Sequence, residues 1–329
     1  MDKLEKAIFS TLCYFDIHNY PLTLFEIYKW LYIDDCEVHS LGRIKERLES
    51  GELSHLVGLK SGYYYLLASE KIVADRQRRY VISAHKSKIA QRAAKIFSYV
   101  PFVESVCACN DFGFNSLDKK SDIDLFVIAK SQRIYFVRLA LIAIIMILRL
   151  RPKRTDKSDK ICLSFFITDS DLNLDSVMIG ENDIYLTYWL ATLYPFFGFK
   201  KYLELLNANA RILSKLPNCQ IFNPCHERKI KFPVIFRLKI ESLPVVLFNY
   251  LERAARKMQM KKINRKLDKY AGESTGIVIS DRMLKFHEND NRRFYQDEFL
   301  KRVQNYSPSA YRPMLVGDKL MIPKIYETA

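Results

Sequence analysis

Between Ile134 and Leu150 the chain reads IYFVRLALIAIIMILRL, its most apolar stretch. Such a run must be covered, either by lipid or by protein. A membrane-spanning helix needs about 20 apolar residues. Here only ten separate Arg138 from Arg149, so a helix packed on a sheet is expected. The flanking sequence supplies the sheet. VESVCAC (103–109), DIDLFVIA (122–129) and ICLSFFIT (161–168) are short runs rich in β-branched and aromatic residues. The order strand, polar loop, strand, helix, strand predicts a mixed α/β core. A hydrophobic content of 49% with 27% charged residues excludes a disordered or fibrous chain. Only 10 glycines and 11 prolines in 329 residues argue for a helix-rich protein with few tight turns.

On the N-terminal side, Leu4, Ile8, Leu12 and Phe15 recur at helical spacing, which predicts a helix over 3–16. Thr23 followed by Glu26 is a capping box, which starts a second helix at Leu24 running to about Ile33. A third covers 41–50 and stops at Gly51. LSHLVGLKSGYYYLLAS then reads as two strands around Lys60-Ser61-Gly62. Three helices and a hairpin suggest a winged-helix-like module over 1–68. Residues 69–100 form a basic helical connector, 101–182 the α/β domain, and 183–329 a mainly helical region. Within the last, DIYLTYWLATLYPFF and KYLELLNANARILSKL read as helices, and 240–268 as one long basic helix.

The formal charge of +15 calls for an anionic partner. Its distribution is uneven. The module over 1–68 carries 7 basic and 10 acidic groups, the wrong sign for phosphate contact, so docking or dimerisation suits it at least as well as DNA. The excess sits in 69–100, 149–160 and 225–269, and the first and last of these are candidate nucleic-acid contacts. The seven cysteines are scattered. Cys107 and Cys109 share one face of a strand, without a second ligand pair for zinc, and read as core. No secretory leader is visible, so a cytoplasmic location is expected and membrane attachment is not.

The sharpest chemical feature is Ser121-Asp122-Ile123-Asp124-Leu125. Two carboxylates two positions apart on a strand project from one face, with Ile123, Leu125 and Val127 on the other. A divalent cation gives that repelling pair a purpose; the alternative is a surface strand start with two solvated acids. The stretch VESVCACNDFGFNSLDKKSDIDLFVIA resembles the polymerase-β-like nucleotidyltransferases, and SDIDLFVI is similar to the wording of minimal nucleotidyltransferases. A weaker likeness extends to YPLTLFEI, DIYLTYWL and DRMLKFHENDNRR in multi-domain nucleotidyltransferase-like proteins.

The resemblance implies a nucleotidyltransferase-like mixed sheet and transfer of a nucleoside monophosphate from an NTP to an acceptor hydroxyl. The acceptor is left open between protein, RNA end and small molecule. Asp122 and Asp124 would be catalytic and would hold Mg²⁺ or Mn²⁺. The nucleotide would meet Cys109, Asn110, Lys120 and Ser121. The family's turn is Gly-Ser or Gly-Gly. Cys109-Asn110 stands there instead, offering an amide for the hydroxyl. The family also places a third carboxylate on a later strand, and ICLSFFIT has none. Asp169 and Asp171, just beyond its end, are the substitutes to test. The alternative is a degenerate centre in a nucleotide- or nucleic-acid-binding scaffold. His287, Asp290, Arg292 and Arg293 are read either as phosphate contacts or as a solvated helix start. Lys119 and Lys120 either neutralise triphosphate or balance neighbouring acids.

Overall fold

The computed structural model describes residues 1–33, 37–67, 71–153, 155–219, 230–267, 276–287 and 290–306. Cys36 and Cys225 lie outside them. The fold is mixed α/β.

The chain opens with α1 (Lys3–Ile17), started by an Asp2–Glu5 capping box. The short β1 (Leu22–Thr23) leads into α2 (Leu24–Lys29), whose Thr23–Glu26 capping box forms as the sequence requires. This helix ends at Trp30, short of the predicted Ile33, because Trp30 and Leu31 turn into the core. After α3 (Leu41–Glu49) come β2 (Val57–Lys60) and β3 (Tyr63–Leu66). Ser61 and Gly62, both at positive φ, close their hairpin. The three strands pair in the order β1-β3-β2.

The long α4 (Ile72–Phe97) follows. Its first turns grip the N-terminal elements. Arg76 forks onto both carboxylate oxygens of Glu26 at 2.8 and 2.7 Å, between the Tyr20 and Tyr63 rings. Its last turns bury Ala90, Ala93, Ala94 and Phe97 against the larger sheet.

That sheet contains β4 (Val103–Ala108), β5 (Ile123–Ala129) and β6 (Ile161–Thr168), joined in part by α5 (Ile134–Ile147). The apolar run is thus a helix packed by one face on the sheet, with Ile134, Val137, Leu141 and Ile145 buried and Met146, Ile147 and Leu148 left exposed at its end. No helix among the described residues is long and apolar enough to cross a membrane. After α6 (Ile184–Ala191) the structure departs from the sequence reading, since Tyr194–Phe197 is a strand, β7. Its aromatic residues suit an edge, and Pro195 is tolerated there because the outer side needs no donor. Gly198 (φ 73°) ends β7, where a β-carbon would collide with the Glu104 carbonyl oxygen.

The helices α7 (Phe199–Ala208) and α8 (Ala210–Leu213) come next. The predicted helix over 240–268 is two helices, α9 (Val234–Glu241) and α10 (Val245–Leu267), separated at Ser242-Leu243-Pro244. Proline cannot continue a helix from the preceding turn. Then β8 (Ile277–Ile279), β9 (Met283–Phe286) and α11 (Arg292–Tyr306) complete the described chain.

The sheet order is β7-β4-β5-β6-β9-β8, with β5–β6 parallel and the other pairs antiparallel. One face packs on α4, α5 and α10. The other packs on α6, α7 and α8 through Trp189, Leu190, Leu205 and Ile212. A third cluster joins α1–α3 to Phe114, Tyr188, Phe299 and Val303, so the N-terminal elements share apolar packing with the rest.

Candidate metal centre at one end of the sheet

The parallel pair β5–β6 has two ends of opposite chemistry. At its N-terminal end stand the two aspartates. The loop that delivers them is pinned rather than free. Phe112, Phe114 and Leu117 are buried, and Leu117 N–H donates to Ser83 Oγ on α4 at 3.0 Å. Lys86, one turn further along α4, is 1% exposed. Its Nζ donates to the carbonyls of Lys119 (3.2 Å) and Ser121 (2.8 Å) and pairs with Asp159 at 2.9 Å. A buried ammonium is stable only when its protons are satisfied. Lys86 therefore ties the segment just before Asp122 to α4.

From there the alternation of β5 decides the site. Ile123, Leu125 and Val127 enter the α5 side of the core, as expected. Asp122 and Asp124 emerge on the opposite face, both half-buried. Asn110, at the end of β4, adopts φ 56° and turns the chain into a short helical turn over Asn110–Phe112. Its Nδ2 donates to Asp124 Oδ2 at 2.9 Å, and its Oδ1 accepts from the Tyr185 hydroxyl at 3.2 Å. Across the parallel ladder Asp124 pairs with Cys162. One carboxylate oxygen from each aspartate and Cys162 Sγ all lie within 4.8 Å of one another.

Burial, then the charge of Asp122, pushes the Asp124 carboxyl up to about 6, against the bonds from Asn110 and Cys162. Burial and the two aspartate charges raise the Cys162 thiol strongly, so it is neutral and donates to Asp124. Two residues on, Ser164 Oγ lies 3.0 Å from His287 Nε2. Burial and the Lys285 charge lower that imidazole to about 4, so it is neutral at pH 7. Asp111 adds a further acid. Desolvation and the Asp124 charge raise it to about 6, although 53% of its side chain is open to solvent and moderates the rise.

Among the expected nucleotide contacts, Cys109 turns its thiol into the core, while its N–H donates to the Asp124 carbonyl at 3.2 Å. Asn110 is at the centre, but its amide is engaged with Asp124. Ser121 lends its carbonyl to Lys86, and its hydroxyl donates to the Asp118 carbonyl at 2.8 Å. Lys119 and Lys120 are exposed.

Asp169 and Asp171 do not reach the aspartate pair, so neither supplies the third carboxylate that the resemblance implies. They follow the C-terminal end of β6, where Asp169 accepts from Ser131 N–H at 2.8 Å. Seven residues of β5 separate that end from Asp122, about 23 Å at ~3.3 Å per residue. His287, Asp290 and Arg292 are neither a solvated helix start nor open phosphate contacts. Arg292 is 5% exposed and binds Asp290 and Asp183. Arg293 alone of that group is exposed.

Sequence reasoning missed Lys86, Cys162, Ser164 and Tyr185. Only Cys162 left a signal, since it becomes visible once β5 and β6 are aligned in parallel.

No family model matches the chain, and neither a curated protein nor a solved structure matches it. The chemistry of the centre must stand on its donors. Two adjacent carboxylates suit a hard divalent ion. A thiol does not suit Mg²⁺, so Cys162 is a ligand only for a softer ion.

Proposed function

We propose that this centre belongs to a polymerase-β-like nucleotidyltransferase, moving a nucleoside monophosphate from an NTP to an acceptor hydroxyl. The observation that carries the proposal is the Asp122–Asp124 pair on one face of a central strand, held from both sides. Asp122 and Asp124 would hold Mg²⁺ or Mn²⁺. When bound, the ion would neutralise phosphate charge and favour attack by the acceptor oxygen. Lys86 sets the approach of the segment carrying Asp122. Asn110, itself held by Tyr185, fixes the Asp124 carboxylate, which makes it a positioning residue rather than a phosphate contact. The three N-terminal helices and small sheet are read as a winged-helix-like module used for docking, in keeping with their acidic charge.

Cys162 favours a second reading. It faces Asp124 where a third carboxylate is expected, and its neutral thiol is no base. On that reading the centre binds a metal–nucleotide complex without transferring it.

One experiment separates the two. The protein is incubated with α-labelled NTPs, Mg²⁺ or Mn²⁺ and a cell extract, beside Asp122→Asn/Asp124→Asn. Label transferred by the wild type alone supports the enzyme. No transfer, with an NTP-dependent rise in Tm that the double variant lacks, supports the binding protein. Transfer that survives the double substitution refutes both.

A further inference from the structure

At the opposite end of β5–β6 lies a cavity of about 550 Å³, within the range of pockets that take small ligands. Its wall includes Arg133, Arg253, Arg256 and Arg282, against the acids Glu252 and Asp281. The acids are already engaged. Glu252 accepts from the N–H groups of Tyr135 and Phe136 at 3.0 and 2.7 Å, at the start of α5. Asp281 pairs with Arg256 at 3.2 Å, and Arg282 stands 3.9 Å from Asp171.

Arg133 and Arg253 have no carboxylate within 4.0 Å among the described residues. Arg253 is exposed at the rim, but Arg133 is only 9% exposed. Its guanidinium donates to the Gln132 carbonyl at 2.7 Å and lies over the Phe102 ring. Neither contact cancels its charge, and Glu252, whose carboxyl feels that charge, stays beyond 4.0 Å and is held by the two N–H groups of α5. A buried cation without an ion-pair partner is costly to keep. Planar guanidinium groups match the oxygens of phosphate.

We infer that this cavity binds a phosphate-bearing small molecule, distinct from anything held at the aspartate pair. Arg133 meets the phosphate inside the cavity and Arg253 closes on it from α10. The cavity also accounts for Arg253 and Arg256 among the basic residues of α10.

The test uses the full chain in EDTA, so that no cation bridges an anion to the aspartates. Inorganic tripolyphosphate is titrated at constant ionic strength and binding is followed by calorimetry. The proposal expects one saturable site. Arg253→Gln, a rim substitution, weakens it roughly tenfold or more, and Arg133→Gln does the same if that variant folds. Asp122→Asn/Asp124→Asn and Arg43→Gln, an exposed arginine of α3, leave it unchanged. Equal affinity in Arg253→Gln and wild type overturns the inference. So does a failure to saturate, or a loss of binding in the aspartate variant.

Discussion

The two ends of the β5–β6 pair are made from the same two strands, yet one is acidic and the other basic. At the N-terminal end, strand alternation puts Asp122 and Asp124 side by side, and the neighbouring strand answers with Cys162 rather than a base. At the C-terminal end, α5 and α10 bring arginines around a cavity whose acids are already paired. Net charge alone would assign one anionic ligand to the whole chain. On the two proposals made above, the placement of the charges divides the work: a cation with its phosphates at one end, a phosphate group alone at the other. The basic connector shows the same economy. Arg76, Arg79 and Lys86 of α4 face inward, onto Glu26, the His18 carbonyl and the loop before Asp122.

That division breaks most sharply if the acidic end is neutralised. Asp122→Asn/Asp124→Asn is expected to abolish the Tm gain from Mn²⁺ with NTP while tripolyphosphate binding in EDTA persists. Parallel loss of both would show a single site. Next in size is Lys86→Met, which leaves Asp159 and two carbonyls without their donor. A loss of roughly 2–4 kcal/mol in chemical denaturation is expected, with Mn²⁺ affinity about tenfold weaker. Unchanged Mn²⁺ affinity in the folded variant would remove Lys86 from the account of the acidic end. Asn110→Ala should weaken Mn²⁺ binding by up to about tenfold without touching the arginine cavity. A change in tripolyphosphate affinity would instead couple the two ends.

The smallest effect concerns pH. His18 is packed among Tyr14, Phe114 and Tyr295, 3.8 Å from Asp111. Burial, then Arg79 and Arg302, lowers it to about 4 from its usual 6.5. The unfolded chain therefore takes up the proton first. The stability linked to neutral His18 is complete above pH 6.5 and is lost as pH falls towards 4. Between pH 7 and 5 the wild type should lose roughly 1–2 kcal/mol more than His18→Phe. Parallel pH profiles of the two proteins would contradict this.

Much of the central sheet was legible because its strands announce themselves. ICLSFFIT spans β6 from end to end, and DIDLFVIA misses β5 by one residue. Both carry β-branched and aromatic residues between polar boundaries. β7 was not read, since YPFF extends the aromatic pattern of the helix before it; Pro195 is the one break in that pattern, and the segment becomes a strand where β4 offers an edge. The aspartate pair was readable from its spacing. Its supports were not. Lys86 sits in register with apolar positions of α4, where a lysine ordinarily reads as reaching out to solvent. Cys162 acquires meaning only through parallel register, which no local pattern encodes. The arginine cavity draws on α5, α10 and the turn before β9, distant in sequence and joined only by the fold.

The central claim is that Asp122 and Asp124 form a divalent-cation site. Mn²⁺ binding followed by electron paramagnetic resonance tests it most directly, on the wild type and on Asp122→Asn/Asp124→Asn at pH 7.5. The account predicts one Mn²⁺ site in the wild type, tightened by NTP, and none in the double variant. Equal Mn²⁺ binding by the two proteins would contradict it.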